Sequence, residues 1–245
     1  MRIAVAGGTG VVGRHAVEAV RAAGHDAVVL ARSLGVDVST GAGLVEALDG
    51  VDVVIDATNV ETMKASKAEE WFTNATNILL AAEQKAGVRH HVVLSIVGID
   101  DVDFGYYVGK RAQEKAAVAG DVPVTILRAT QFHEFPEQTL ARAKGPLAPV
   151  PRMRSQTVAA SEVAVELVRL AVGEPQGRAP DIAGPEVHEM PDLARRVIAH
   201  GGGKRRVMAF PIPGAAGKAM AGGALCPQGE HTTGQITFDE WLRSR

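Results

Sequence analysis

The sequence predicts an α/β fold built on a doubly wound parallel sheet, and three observations carry that expectation. Short apolar runs alternate with helix-length amphipathic segments, as in a parallel sheet covered on both faces. The chain opens on an apolar run followed at once by a glycine-rich turn, Gly7-Gly8-Thr9-Gly10-Val11-Val12-Gly13. The 245 residues are enough for one substantial core, and 46% hydrophobic with 22% charged residues is an ordinary globular balance.

The elements follow in order. Ile3–Ala6 reads as the first strand, and Val11–Ala23 as a helix ended by Gly24. Ala27–Ala31 is the second strand. The compressed stretch Ser33–Gly43 leaves room only for a brief third strand, Gly35-Val36-Asp37-Val38, with no helix before it. Leu44–Leu48 is a short helix and Val51–Ile55 a buried strand. A polar loop with Asn59 and Lys64 leads into a long helix over Ala68–Ala86, capped by Gly87. His91–Leu94 is a strand, Tyr107–Ala119 a helix, and Val122–Leu127 a strand rich in β-branched residues. Beyond Arg128 the pattern loosens, because Pro136, Pro146, Pro149 and Pro151 interrupt it. Ser161–Val172 reads as a helix with Ser161 as N-cap, Pro191–His200 as another, and Arg206–Phe210 as a late strand. Gly214–Gly234 looks mobile, and Thr237–Leu242 closes the chain as a short helix. Residues 1–128 are expected to form a dinucleotide-binding core. Residues 129–245 form a small, irregular substrate-binding region of the same compact domain.

Bulk properties narrow the function classes. A formal net charge of −2 gives no field to attract nucleic acid or an anionic membrane surface, and neither is expected as a partner. One cysteine, Cys226, excludes an intrachain disulfide, and nothing resembles a metal-ligand cluster. Cys226 reads as a small half-buried residue or a reactive thiol. There is neither a signal-like leader nor an apolar run long enough to span a bilayer, so a cytoplasmic location is expected. Monomer and homodimer both stay open.

The glycine turn lies in a strand–turn–helix unit, the context in which such a turn binds a dinucleotide on a Rossmann-type fold. Gly7 allows the tight turn, Gly10 lets backbone approach the pyrophosphate, and Gly13 lets helix and strand pack closely. Thr9, Val11 and Val12 complete the cradle, where the helix N-terminus offers N–H groups to phosphate. The second strand ends Leu30-Ala31-Arg32-Ser33. It lacks the acid that would hold a free ribose 2′-hydroxyl, whereas Arg32 and Ser33 suit a 2′-phosphate, so NADP is the expected cofactor. Arg14 can add charge; a solvated surface role for Arg32 or Arg14 is the alternative. Asp37 and Val38 are placed for the adenine, and Ala57, Thr58 and Asn59 for the far side of the cofactor.

Tyr106 and Lys110 are four residues apart at the start of a predicted helix and share a face. Ser95 follows the strand His91–Leu94, on a sheet edge where ligands bind. A lysine near a tyrosine lowers its pKa, the tyrosine can protonate a carbonyl oxygen, and the serine can hydrogen-bond that oxygen. The alternative is a Tyr106 that only caps its helix and a Lys110 that only holds the cofactor ribose. Thr130, Gln131, Phe132, His133 and Phe135 follow the strand ending at Leu127 and are candidates for a substrate pocket; for His133 a structural role stands beside this.

The turn Gly7–Gly13, Arg32-Ser33, Asp37-Val38, Ser95 with Val97-Gly98, Tyr106 to Lys110, Glu114 and Thr125-Ile126-Leu127-Arg128 together resemble the short-chain dehydrogenase/reductase superfamily. They look most like its atypical branch, the NmrA-like NAD(P)H-binding proteins, and Phe238–Leu242 resembles that branch's ending. The resemblance implies a Ser95–Tyr106–Lys110 triad and an NADP-dependent oxidoreductase that reduces a small carbonyl or quinone-like compound by hydride transfer. A non-catalytic NADP(H) redox sensor and a nucleotide-sugar epimerase are the alternatives. Two features depart from the superfamily pattern: the Ser-to-Tyr loop is short, and Ser33–Gly43 lacks the usual second helix.

Overall fold

The computed structural model describes residues 1–245. In chain order the elements are β1 (Arg2–Ala6), α1 (Val11–Ala22), β2 (Asp26–Leu30), α2 (Leu44–Ala47), β3 (Val53–Asp56), α3 (Ala65–Ala86), β4 (His90–Ile96), α4 (Gly105–Ala119) and β5 (Val124–Ala129). There follow α5 (Phe135–Arg142), β6 (Leu147–Pro151), β7 (Arg154–Ser155), α6 (Ala160–Val172), β8 (Gly177–Arg178), β9 (Ile182–Ala183), β10 (His188–Glu189), α7 (Met190–His200), β11 (Arg206–Phe210), α8 (Gly214–Gly222), β12 (Thr232–Thr233) and α9 (Phe238–Arg243). None of the helices is long and apolar enough to cross a membrane.

The chain divides into two compact units. The first comprises Met1–Ser95, Phe104–Arg128 and Val163–Ala179; the second comprises Ile96–Asp103, Ala129–Glu162 and Pro180–Arg245. The expected border after residue 128 is thus crossed more than once, since α6 returns to the first unit and the loop after β4 joins the second.

In the first unit the sheet order is β5-β4-β3-β1-β2, with β8 beside β5. The α/β doubly wound fold read from the sequence is the fold observed. The ladders are parallel, with Ala6 level with Leu30 of β2 and with Asp56 of β3. The loops after β1, β2 and β3 therefore leave from one edge. The chain winds one way from β1 to β2 and the other way from β1 to β3. Such a switch point leaves a crevice at the carboxyl ends of the strands, where ligands bind. Strands β1 and β3 are buried on both faces apart from Arg2, which is why they read as unbroken apolar runs. One core cluster gathers Ala4, Ala6, Val54, Leu44, Leu48, Leu79 and Leu80.

Several expectations give way here. No third strand forms at Gly35–Val38. Arg32–Leu34 is a 3-10 turn, and Asp37 bridges back to Ala42 in antiparallel fashion. Gly35, Gly41 and Gly43 all have positive φ, and a Cβ on Gly43 would lie 2.5 Å from the Gly35 carbonyl oxygen, so the segment doubles back on itself. Ser95 lies inside β4, not after it. Helix α6 begins at Ala160, which puts Ser161 within the helix rather than at its N-cap.

In the second unit β11 pairs in parallel with β6, a strand hidden by its prolines. A two-stranded sheet has two outer edges, so Pro149 and Pro151 need donate nothing. Part of the glycine-rich tract forms α8, where a Cβ on Gly217 would strike the Ile212 carbonyl oxygen. Helix α9 has Thr237 as N-cap in a capping box with Glu240, and buries Phe238, Trp241 and Leu242 beside Leu193.

Candidate functional site

The glycine turn sits at the switch point in the first unit. Gly7 has φ +74°, and a Cβ there would lie 2.7 Å from the Ala57 carbonyl oxygen and 3.1 Å from the Thr58 Cα. The turn therefore packs directly against the loop after β3. A Cβ on Gly13 would lie 2.0 Å from the Gly7 carbonyl oxygen, so α1 starts hard against the turn. Gly10 is the N-cap of α1, exposed, and the first turn of the helix holds no acidic residue. The leading N–H groups of a helix have no partner within it, and their partial positive charge suits an anion. Thr9, Val11 and Val12 lie on this same turn and helix start. The residues present fit a dinucleotide's pyrophosphate: a cradle of backbone that no side chain larger than hydrogen could occupy at Gly7 or Gly13.

Arg32 and Ser33 stand exposed on the 3-10 turn after β2; the Arg32 carbonyl accepts from the Gly35 N, while its guanidinium makes no hydrogen bond or ion pair. Arg14 is exposed on α1. Asp37 Oδ1 accepts from the Ser39 Oγ at 2.7 Å and the Ser39 N at 2.8 Å. These bonds, backed by the charge of Arg32, hold its carboxyl below the usual range. Val38 is half-buried against the core cluster. After β3, Ala57 is half-buried, Thr58 is buried and Asn59 is exposed.

The three members of the expected triad all lie in the first unit but do not bond to one another. The Tyr106 hydroxyl donates to Asn59 Oδ1 at 2.6 Å. Lys110 Nζ donates to the Leu94 carbonyl at 2.7 Å and to Gln113 Oε1. It also lies 4.9 Å from the centre of the Phe72 ring. Ser95 Oγ is buried without a partner. Lys110 was expected to lower the Tyr106 pKa; instead burial, with some help from Tyr107, raises it above the ordinary phenol value. Burial also lowers Lys110 to about 8, against the pull of Asp56 and Glu114. Two of the ammonium's three hydrogens are thus taken by a carbonyl and an amide, and no bond joins it to the phenol.

Behind Lys110 runs a buried polar chain that the sequence reading passed over. Gln113 Nε2 donates to Asp56 Oδ2 at 2.8 Å, and Asp56 Oδ1 accepts from the Thr58 N at 2.9 Å. His91 Nε2 lies 3.9 Å from Asp56 Oδ2, and His91 Nδ1 bonds Glu83 Oε1 at 2.9 Å. Burial opposes the His91 cation, but the adjacent Glu83 and then Asp56 outweigh it and raise its pKa. Two signals could have found the chain. Gln113 stands one turn after Lys110, and Asp56 and His91 interrupt apolar strand runs with groups that need partners. Nearby, Arg128 grips Glu114 with two bonds of 2.7 and 2.6 Å.

The candidate substrate residues lie in the second unit. Of its two readings, the contacts of His133 favour the structural one. It is 1% exposed, its Nε2 donates to the Ile236 carbonyl at 3.0 Å, and its Nδ1 accepts from the Thr157 hydroxyl at 2.9 Å. Burial lowers its pKa, and it packs edge-on against Phe238. It is a satisfied core histidine. Thr130 is likewise committed, donating to the Gln156 carbonyl at 2.6 Å. Phe132 and Phe135 are half-buried, Phe132 in a bridge with Val158. Gln131 differs: both polar atoms of its amide are buried with no partner.

Comparison with known proteins agrees with this architecture. Residues 3–96 match the family described as the NAD dependent epimerase/dehydratase family. MoeE5, solved with UDP-glucuronic acid and NAD, is 17% identical with a TM-score of 0.74, covering 100% of this chain and 97% of its own. UDP-N-acetylglucosamine 4-epimerase from Bacillus cereus is 18% identical with a TM-score of 0.72, covering 100% and 96%. The NADPH-dependent quinone oxidoreductase QOR2 from Escherichia coli, solved with NADPH, is 17% identical with a TM-score of 0.71, covering 99% of each chain. No curated protein matches the sequence. The resemblance read from the residues is borne out as a likeness: residues 3–96 match the NAD dependent epimerase/dehydratase family model, and the fold is shared with proteins solved with NAD or NADPH.

Proposed function

We propose that this chain, with its epimerase/dehydratase-type segment at 3–96, is an NADP-dependent oxidoreductase that reduces a small, fairly apolar carbonyl or quinone-like compound. The observation that carries the reading is the bond between Tyr106 and Asn59. It ties a phenol to the loop that abuts the glycine turn. In this reading the Gly7–Gly13 cradle and the α1 N-terminus hold the pyrophosphate, and Arg32 with Ser33 takes the 2′-phosphate. Lys110 holds the ribose beside the reacting end, and the Ala57–Asn59 loop lines the cofactor. NADPH, when bound, supplies the hydride. Tyr106 supplies the proton, and the unpartnered Ser95 hydroxyl is a donor for the same substrate oxygen. A phenol held above its ordinary pKa is fully protonated at neutral pH. It therefore starts in the form that can donate to the substrate oxygen, although burial makes it a weaker acid than a free phenol. The unpaired amide of Gln131, with Phe132 and Phe135, remains a candidate for binding substrate.

The test is turnover. Purified protein, NADPH and a panel of quinones, ketones and enones should show NADPH oxidation with at least one compound. Tyr106→Phe should lose roughly 100-fold or more in rate while binding NADPH as before, as expected for loss of a general acid. No oxidation with any of the panel overturns the reading. A second reading, an NADP(H)-binding sensor without turnover, is favoured by the bonds that hold Lys110 on Leu94 and Gln113 with none to Tyr106. In that case wild type and Tyr106→Phe bind NADPH equally and neither oxidises it. Matching the epimerase family favours a third, sugar-nucleotide epimerisation, which shows as substrate interconversion without net NADPH loss.

A further inference from the structure

We propose that Asp56 is a positioning residue for the cofactor site: its one carboxylate fixes the Lys110 ammonium through Gln113 and the Ala57–Asn59 loop through the Thr58 amide. This rests on the reading that Lys110 and that loop hold the cofactor.

Asp56 closes β3 and is 1% exposed. One oxygen is bound by the Thr58 N at 2.9 Å, the other by Gln113 Nε2 at 2.8 Å. The second bond decides which way the Gln113 amide faces. With its NH2 on the carboxylate, Gln113 presents Oε1 to Lys110 Nζ. The flipped amide would set a carbonyl against a carboxylate and an NH2 against an ammonium, both repulsive. The remaining charges around Lys110 have other work. Glu114, on its own helix, is gripped by Arg128. Glu83, on α3, is paired with His91 of β4, which backs onto Asp56. Tyr106 and Tyr107 are neutral phenols, and Phe72 offers only its ring. Asp56 is therefore the anion that answers Lys110, through one intervening amide. A carboxylate buried at this desolvation cost, spanning a loop and a lysine, suits the placement of functional groups better than it suits packing. Its charge also supports the ammonium, so its removal should lower the Lys110 pKa further.

The experiment follows Lys110 directly in the cofactor-free full chain. Protein labelled with 13Cε-lysine is titrated by NMR, the Lys110 signal being assigned by its absence in Lys110→Met. Asp56→Asn keeps an acceptor for the Thr58 N but turns the other arm into a donor. Gln113→Met removes the relay and leaves every charge in place. Both should move the Lys110 titration to lower pH, Asp56→Asn by about one unit or more. Both should weaken NADPH binding, followed by cofactor fluorescence, by about tenfold, the scale of one charge-assisted bond. Gln113→Met added to Lys110→Met should cost nothing further. Lys110→Met that binds NADPH like wild type overturns the underlying reading. Lys110→Met that binds weakly, beside Gln113→Met and Asp56→Asn that bind normally with unmoved titrations, overturns the positioning role alone. Should Asp56→Asn fail to fold, Gln113→Met decides the matter by itself.

Discussion

Substituting alanine at Gly13 and at Gly10 separates what the glycine turn does for the fold from what it does for a ligand. At Gly13 the new Cβ would stand 2.0 Å from the Gly7 carbonyl oxygen, 2.7 Å from its carbon and 2.8 Å from the Gly8 Cα. All three are backbone atoms, and none can swing aside. To restore ordinary contact α1 must lift from the turn by roughly 1 Å or more, an overpacking cost of about 1–3 kcal/mol, at the upper end because nothing nearby is flexible. At Gly10 the Cβ would meet a single atom, the Gly7 carbonyl oxygen, at 3.2 Å. There the fold should lose only about 1 kcal/mol or less, the usual margin between glycine and alanine at an N-cap. Gly10→Ala intrudes where the pyrophosphate is proposed to lie, and Gly13→Ala displaces the turn that would hold it, so each should weaken NADPH by about tenfold to a hundredfold, the worth of one charge-assisted bond to phosphate. Urea unfolding at constant m-value gives the stability difference, and fluorescence titration gives the affinity. Gly10→Ala binding NADPH like wild type would show that the phosphates do not approach Gly10. Gly13→Ala as stable as wild type would refute the packing argument.

Three further outcomes follow from named contacts. Lys110 falls from 10.5 unfolded to about 8 folded, so the unfolded chain binds more protons between those values and wild-type stability rises with pH across that window. Lys110→Met should therefore be more stable below pH 8 by at most about 3 kcal/mol, less the cost of stranding the Leu94 carbonyl, and the advantage should vanish above the unfolded value; a constant difference across denaturation curves taken at several pH values would contradict this. Arg128→Met strands the half-buried Glu114 carboxylate and should cost at most about 3 kcal/mol in urea unfolding, most of it recovered when Glu114→Gln is added; additive losses would show the two do not act as a pair. Arg205 donates to the Leu140, Ala143 and Gly145 carbonyls at the end of α5, and Arg205→Lys should speed hydrogen exchange in the last turn of that helix while leaving exchange in β1 and β3 unchanged.

Periodicity and glycine placement made the first unit legible. Strands β1 and β3 are apolar runs because both faces are buried, and the turn at Gly7–Gly13 leaves a signature that only a tight backbone approach explains. Position in sequence could not show how long-range contacts redirect side chains. Lys110 is four residues from Tyr106, but its nitrogen is claimed by Leu94 and Gln113. His133 follows a strand on the ligand edge, but Thr157 and Ile236, far along the chain, occupy both of its ring nitrogens. Val36 looked like strand because it is apolar; it is core, in a loop that three left-handed glycines fold back. The β6 strand was hidden because its prolines, forbidden in a sheet interior, are harmless in a pair with two outer edges.

Isothermal titration of NADPH and NADH into wild type and Arg32→Ala tests the cofactor assignment. Arg32 is exposed, its guanidinium makes no hydrogen bond, and it stands where an acid would favour a bare ribose. Wild type should bind NADPH about tenfold to a hundredfold tighter than NADH at low salt. Arg32→Ala should erase most of that gap and leave NADH nearly unchanged, since NADH has no 2′-phosphate to lose. Equal affinities in wild type, or an Arg32→Ala protein weakened alike for both cofactors, would contradict the assignment of NADP.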